Sequence, residues 1–349
     1  MSAYLVLENG MIFEGQSFGA TGDVVGEVVF TTGMSGYLET LTDPSYYGQI
    51  IVQTFPLIGN YGVISEDFEY PTVAPKAYIV KYPCQDPSNF RSEGDLGTFL
   101  RSQNIIGLHG IDTRQLTKVL RNGGTMNGII TTQHPSEVNL DEVKNYKIVE
   151  ALKAVSKGEK TVQGQGGAQK VALLDFGAKK SIEQHLLNRG CEVHVFPYNA
   201  TADDILAINP DGIMLSNGPG DPDAPENQPI IDMLKVMIDK EVPIFGICLG
   251  HQLLALANGY KTEKMKFGNR GQNHPVKDMS TGRVYITSQN HGYEVVGGEQ
   301  SFVNVNDKSC EGIDYGVNFS VQFHPEAHGG PLDTTFLFDR FVERMTTKK

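Results

Sequence analysis

Apolar and polar positions alternate in two different ways along this chain of 349 residues. In the first part the apolar runs are short and broken by turn residues. Tyr4-Leu5-Val6-Leu7, Met11-Ile12-Phe13, Glu27-Val28-Val29-Phe30 and Gln49-Ile50-Ile51-Val52 predict strands, and Asn9-Gly10 predicts a two-residue hairpin turn. Tyr78-Ile79-Val80, Ile105 to Leu108 and Met126 to Thr131 continue the strand pattern. Leu96 to Ser102 reads as a short helix. So does the run after Asp112, where Asp112 fits an N-cap, Leu116, Val119 and Leu120 share a face, and Gly123 is a stop. The stretch Thr31 to Ser45 is small and polar and reads as a connecting loop. Residues 140 to 155 read as helical.

Ser156 to Gly167 is polar, glycine-rich and poor in apolar residues, which marks a boundary. Beyond it, longer apolar strands alternate with helical patterns. Val171 to Gly177, Cys191 to Phe196, Gly212 to Leu215 and Ile244 to Ile247 are strands. Ser181 to Asn188, Ala202 to Ile208 and Gln228 to Lys240 are the helices between them. This βαβ alternation predicts an open, mostly parallel sheet flanked by helices. From Phe267 to Phe323 the pattern predicts shorter strands and turns, and Thr334 to Met345 a closing helix. The expected class is α/β in two domains: a mixed, strand-rich domain over residues 1–150, a linker over 151–169, and the parallel-sheet domain over 170–349.

In open parallel sheets the functional groups collect at the carboxyl ends of the strands. One such end is Pro243-Ile244-Phe245-Gly246-Ile247-Cys248-Leu249-Gly250-His251-Gln252, an apolar strand running into Gly-x-Cys-x-Gly and then a helical pattern. This is the shape of a nucleophile elbow, with the cysteine at a helix N-terminus that favours the thiolate. A lone cysteine is more often simply buried. Two flanking glycines at the elbow spacing shift the balance toward chemistry. Another strand end carries Ser216-Asn217-Gly218-Pro219-Gly220, in which the main chain can approach a substrate and point N–H groups at it. As Pro-Gly turns are common, that loop alone says little.

A cysteine nucleophile needs a base, and the base an orienting partner. Of the nine histidines, His109, His134, His185 and His194 fall outside the strand-end loops. His251 points away from Cys248 at its spacing, and His274, His291 and His328 lie in segments read as turn-rich. His324 follows an apolar strand and opens His324-Pro325-Glu326. Residues two apart in extended chain face the same way, so Glu326 can hold the imidazole in the useful tautomer. The backbone N–H of Leu249 and the Gly218–Gly220 loop are the candidate oxyanion donors.

Composition narrows the field further. The formal net charge of -12 argues against a nucleic-acid binder. The four cysteines, Cys84, Cys191, Cys248 and Cys310, are widely spaced and form no zinc pattern. No apolar run reaches membrane-spanning length, and the first residues do not read as a signal peptide, so a cytoplasmic protein is expected.

Gly246-x-Cys248-x-Gly250-His251-Gln252, Ser216 to Gly220 and His324-Pro325-Glu326, in that linked set, resemble the class I (triad-type) glutamine amidotransferases. The first half adds Thr32-Gly33-Met34-Ser35-Gly36-Tyr37 running into Thr42-Asp43-Pro44-Ser45-Tyr46, and Gly110 to Thr117. Both are similar to the amino-terminal domain of carbamoyl-phosphate synthetase small chains. The resemblance implies glutamine hydrolysis through a γ-glutamyl thioester, with Cys248 as nucleophile, His324 as base then acid, and Glu326 orienting it. It implies that Ser45, Gly218, Gly220, Leu249, Gln252, Asn290, Gly292 and Tyr293 contact L-glutamine, the last three from a turn. It further implies a large partner chain, docked on the amino-terminal domain, that holds ATP and Mg and makes carbamoyl phosphate from the ammonia. No cofactor, metal, nucleic acid or membrane is expected on this chain itself. Other readings are an anthranilate-type amidotransferase subunit, a catalytically idle regulatory homologue, or a cysteine hydrolase on the same fold. The separate amino-terminal domain, the intact Cys248, His324 and Glu326, and the Gln252 and Asn290–Tyr293 matches argue against them in turn.

Overall fold

The computed structural model describes residues 1–347 and divides the chain into two compact units, Met1–Val149 and Glu150–Lys349. In the first unit seven strands close into a barrel. They are β1 (Ser2–Leu7), β2 (Ile12–Gly19), β3 (Val24–Thr31), β4 (Gln49–Gln53), β6 (Ala77–Val80), β8 (Ile106–His109) and β9 (Met126–Thr131). β5 (Leu57–Ile58) and β7 (Tyr82–Pro83) form a separate pair. The order around the barrel is β1-β2-β8-β6-β4-β3-β9, with β9 pairing back onto β1. β3, β4, β6 and β8 are mutually parallel, and the remaining contacts are antiparallel. Closure removes the exposed edges that so strand-rich a segment would otherwise carry.

The stretch Thr31 to Ser45 is more than a connection. It holds a short helix α1 (Tyr37–Leu41) and a 3₁₀ turn over Pro44–Tyr46. Tyr37, Leu38, Leu41 and Tyr46 are buried with Val29, Ile51 and Tyr78. The sequence hides this because polar residues separate the apolar ones. Helices α2 (Leu96–Ser102) and α3 (Thr113–Gly123) start at Asp95 and Asp112, whose carboxylates accept from Thr98 N and Gln115 N. Residues 140 to 155 make two short helices, α4 (Leu140–Lys144) and α5 (Ala151–Val155), where the composition suggested one. Glu150, at φ 48°, separates them.

The second unit is one ten-stranded sheet. β10 (Thr161–Gln163), β11 (Gln169–Asp175), β12 (Cys191–Pro197), β13 (Gly212–Leu215), β14 (Ile244–Ile247), β15 (Lys261–Asp278), β16 (Val284–Val296), β17 (Gln300–Asn304), β18 (Cys310–Asp314) and β19 (Phe319–Val321) lie in the order β10-β12-β11-β13-β14-β19-β18-β17-β15-β16. β12, β11, β13, β14 and β19 are parallel, as the βαβ alternation requires. Period-two burial builds a core on each face. Val171, Leu173, Met214, Phe245 and Ile247 face α6 (Lys180–Leu187) and α10 (Phe336–Thr346). Ala172, Leu174, Ile213, Leu215 and Ile244 face α5, α7 (Ala202–Leu206), α8 (Gln228–Ile238) and α9 (Leu249–Ala257).

Two expectations are corrected here. Residues 151–169 lie in the second unit and carry structure: α5 buries Ala151, Leu152 and Val155, and β10 pairs antiparallel with β12. All three β10 residues are exposed, so an edge strand there has the composition of a linker. Residues 261–296 form a long antiparallel hairpin of 18 and 13 residues instead of short strands and turns. Its Lys261–Phe267 part mixes exposed with half-buried positions and is bulged between Lys264 and Asn269. Pairing holds it, not burial, and pairing leaves no apolar signature.

Candidate active site

β14 ends at Ile247 and α9 begins at Leu249, leaving Cys248 alone in the turn with φ 54° and ψ −104°. That backbone is unfavourable for any residue with a side chain and costs on the order of 1–3 kcal/mol. Its neighbours hold it there. Cys248 N donates to Val321 O on β19 at 2.9 Å, and Gly250 N donates to Ser216 O beyond β13 at 3.1 Å. The flanking glycines are steric requirements. A Cβ on Gly246 would lie 2.6 Å from Gly250 O, and one on Gly250 would lie 2.4 Å from Leu215 O.

The Ser216–Gly220 loop packs against this elbow and against the end of β11. Ser216 Oγ accepts from Phe176 N and donates to Asn217 O, Asn217 Oδ1 accepts from Lys179 N, and Gly218 abuts Phe176 and Leu249. On the other side Cys248 Sγ donates to Asn290 O of β16 at 3.6 Å.

His324 follows β19 and is tied to β16 by its N–H to Ser288 O at 2.9 Å. Its Nδ1 lies 2.6 Å from Glu326 Oε1, and both side chains are buried. Pro325 lies between them in the sequence. Nε2 makes no conventional hydrogen bond among the described residues. The Cys248 thiol is nonetheless near enough to help hold the ring's proton. Burial and the Lys179 ammonium pull the His324 pKa down, but Glu326 and Cys248 outweigh them and raise it overall. Burial acts against the Glu326 charge, but His324 and Lys179 hold that carboxyl below its usual range. The favoured state is therefore an imidazolium beside a carboxylate, the form that pairs with a thiolate.

The sequence reading missed Lys179. Its Nζ lies 3.2 Å from Glu326 Oε1 and 3.3 Å from His324 Nδ1, and the residue is 7% exposed. Asp175 makes this possible: its Oδ1 accepts from Gly177 N and Ala178 N, turning the chain at the carboxyl end of β11. The available signal was position, a cation just past a buried parallel strand. His185, set aside as remote, lies on α6 with Nε2 donating to Glu326 O at 3.2 Å, while Arg189 Nη1 donates to its Nδ1.

The remaining candidates fall as follows. Leu249 is the first residue of α9, and Gly220 has φ 95° in the loop beside the elbow. Gln252, four residues past Cys248, donates from Nε2 to Tyr293 O and to Gln322 Oε1, both at 3.0 Å. Its amide is thus engaged with the protein. Asn290, Gly292 and Tyr293 lie in strand β16 where a turn was expected; Asn290 and Tyr293 pair with Arg270 and Lys264 of β15, and Gly292 falls at the bulge between them. Ser45 belongs to the first unit, in the Pro44–Tyr46 turn, buried, with its N–H on Asp43 Oδ1. His251 faces Ser320 Oγ at 2.7 Å inside α9. His274 and His291 lie in the hairpin strands. Among the described residues no cluster of three or more His, Cys, Asp or Glu could hold a metal, and no helix is long and apolar enough to cross a membrane.

Residues 5–130 match the family model "Carbamoyl-phosphate synthase small chain, CPSase domain", and residues 172–344 match "Glutamine amidotransferase class-I". The carbamoyl phosphate synthase small chain of Clostridium perfringens is 50% identical over 354 residues, covering 98% of this chain and 99% of the relative. The carbamoyl phosphate synthase pyrimidine-specific small chain of Bacillus subtilis is 48% identical over 356 residues, covering 99% and 97%. Among solved structures, a glutamine amidotransferase of Thermotoga maritima covers 52% of this chain and 85% of its own, at 17% identity and a TM-score of 0.39.

Proposed function

The chain belongs to the carbamoyl phosphate synthase small chain family, and we propose on that premise that it is the glutamine-hydrolysing subunit of such a synthase. The observation that carries the reading is Cys248, strained at the end of β14, beside a buried His324–Glu326 pair that retains a proton on the ring.

The geometry supports the following chemistry. With a proton already on His324 Nε2, Cys248 reacts as the thiolate, and its sulfur attacks the side-chain amide carbon of glutamine. The carbonyl oxygen becomes an oxyanion beside the Leu249 N–H and the Gly218–Gly220 loop. When the carbon–nitrogen bond breaks, the imidazolium gives its proton to the departing ammonia, leaving a γ-glutamyl thioester. Water, deprotonated by His324, then opens the thioester to glutamate and restores the thiolate beside the imidazolium. Glu326 stays ionised and Lys179 compensates its charge, so the ring cannot turn away between the two steps. Glycines at 218 and 220 keep the main chain open to the substrate.

The names of the relatives as small chains support a large partner chain, which would take up the ammonia with bicarbonate and ATP. Nucleotide and Mg are assigned to that partner. Cys248→Ser tests the reading. It should abolish glutamine-dependent carbamoyl phosphate formation by the reconstituted pair and leave ammonia-dependent formation intact. Undiminished glutamine turnover by the variant would remove Cys248 from the mechanism.

A further inference from the structure

We infer that Glu311 is a positioning residue: uncharged, it donates its proton to Gln289, and the chain Glu311–Gln289–His291 sets the strand Asn290–Tyr293 against Cys248 and Gln252. The inference rests on the glutaminase reading.

Glu311 lies on β18 with no exposed surface. Its Oε1 accepts from Asn304 Nδ2 at 3.0 Å and lies 3.4 Å from Ser309 Oγ. Oε2 makes no conventional hydrogen bond among the described residues, and the Gln289 side chain is in contact with the carboxyl. Among the described residues no Lys or Arg compensates it. The nearby charge is Asp307, of the same sign. A carboxylate here would be a buried, uncompensated charge, and burial lifts the group to about 8. It therefore carries a proton near neutral pH, and that proton needs an acceptor.

The other end of the chain supplies an independent constraint. His291 Nδ1 lies 2.8 Å from Tyr293 O, which only accepts, so Nδ1 carries hydrogen. Burial drives the ring down to about 3, and Arg270, His274 and His324 oppose a second proton on it. Nε2 is therefore bare, and it sits 3.0 Å from the Gln289 amide. Only the NH₂ end of Gln289 can serve a bare nitrogen. The amide oxygen then faces the other way, toward Thr287 and Glu311, and accepts the carboxyl proton. The Thr287 hydroxyl, 2.9 Å from His274 O and 3.3 Å from the Gln289 amide, can turn to suit. The reverse arrangement, an imidazolium at one end and a carboxylate at the other, holds the same number of protons but places two charges in the interior.

The strand held this way touches three residues of the site. Ser288 O accepts from His324 N, Asn290 O from Cys248 Sγ, and Tyr293 O from Gln252 Nε2. His291 Nδ1 holds the same Tyr293 carbonyl.

Nitrogen-15 NMR of the full-length chain with labelled histidine reads the arrangement directly, His291 being assigned by its loss in His291→Gln. His291 should show a protonated Nδ1 and a bare Nε2 from pH 5.5 to 8.5. An imidazolium, or a proton on Nε2, would overturn the inference. Kinetics with glutamine gives the second arm. Glu311→Gln keeps a neutral donor toward Gln289 and should hold KM within about twofold, while Glu311→Leu should raise KM about tenfold with a smaller change in kcat, the cost of one lost buried hydrogen bond. Equal damage in both variants, or none in Glu311→Leu, would remove Glu311 from the site's support. A wild-type chain that released no ammonia from glutamine would sink the glutaminase reading itself, and the NMR result stands apart from it.

Discussion

His251 illustrates how a residue that fails as a catalytic base can still govern behaviour. It lies inside α9, with Nδ1 on Ser320 Oγ and Nε2 without a partner among the described residues, and burial pushes it down to about 3 from an ordinary 6.5. The folded state therefore binds fewer protons than the unfolded chain between those values, so stability rises with pH across that window. It is complete above about pH 7 and is lost as pH falls below 6.5. His291 acts in the same sense, and Glu311 in the opposite sense between 4.5 and about 8. The urea midpoint of the wild-type chain should therefore fall between pH 7.5 and 5, and His251→Leu should show a smaller fall. An equal fall in both would mean that His251 takes up no proton on unfolding. At this scale the sequence was legible where the chemistry is local. His324 and Glu326 declare themselves because two residues of extended chain suffice to join them. Lys179 and His185 do not, because what makes them matter is Glu326, more than a hundred positions away.

At the level of elements, the elbow was readable because its requirements are steric and contiguous. An apolar strand, two glycines and an apolar helix face each leave a trace in the sequence. The β15–β16 hairpin left none, since charged residues such as Lys261, Glu263, Lys264 and Lys266 sit in a strand that buries little. The turn expected at Asn290–Tyr293 is for the same reason a strand, with the Asn290 and Tyr293 carbonyls accepting from Cys248 and Gln252. The elbow's steric logic is testable through Gly250. An added Cβ would meet Leu215 O, backbone of β13, with no flexible side chain to yield. Gly250→Ala should destabilise the chain by about 1–3 kcal/mol, as overpacking of a dense interior does. It should also reduce glutamine hydrolysis by displacing Cys248. A urea midpoint and kcat/KM both equal to wild type would show that α9 can shift away from β13 at no cost.

The whole chain is two compact units, and each has its own apolar interior. The first closes its strands into a barrel, with Val29, Ile51 and Tyr78 packed against α1 and α2. The second builds two cores across one sheet. Cys248, His324, Glu326, Lys179 and the strand Ser288–Tyr293 all belong to the second, and none of their mutual contacts described above uses a residue before Glu150. A domain with its own core can in principle fold alone. A chain of residues 150–349 should therefore unfold in a single cooperative transition, followed by circular dichroism in urea, and should still release ammonia from glutamine in a Cys248-dependent way, at a raised KM if Ser45 of the first unit contacts the substrate as the resemblance implies. It should fail to support carbamoyl phosphate formation with a large chain if the barrel unit is the docking surface, as proposed from the family. A gradual, non-cooperative loss of signal would show that the second unit needs the barrel to fold. Full synthesis by the truncated chain would place the docking surface on the second unit instead.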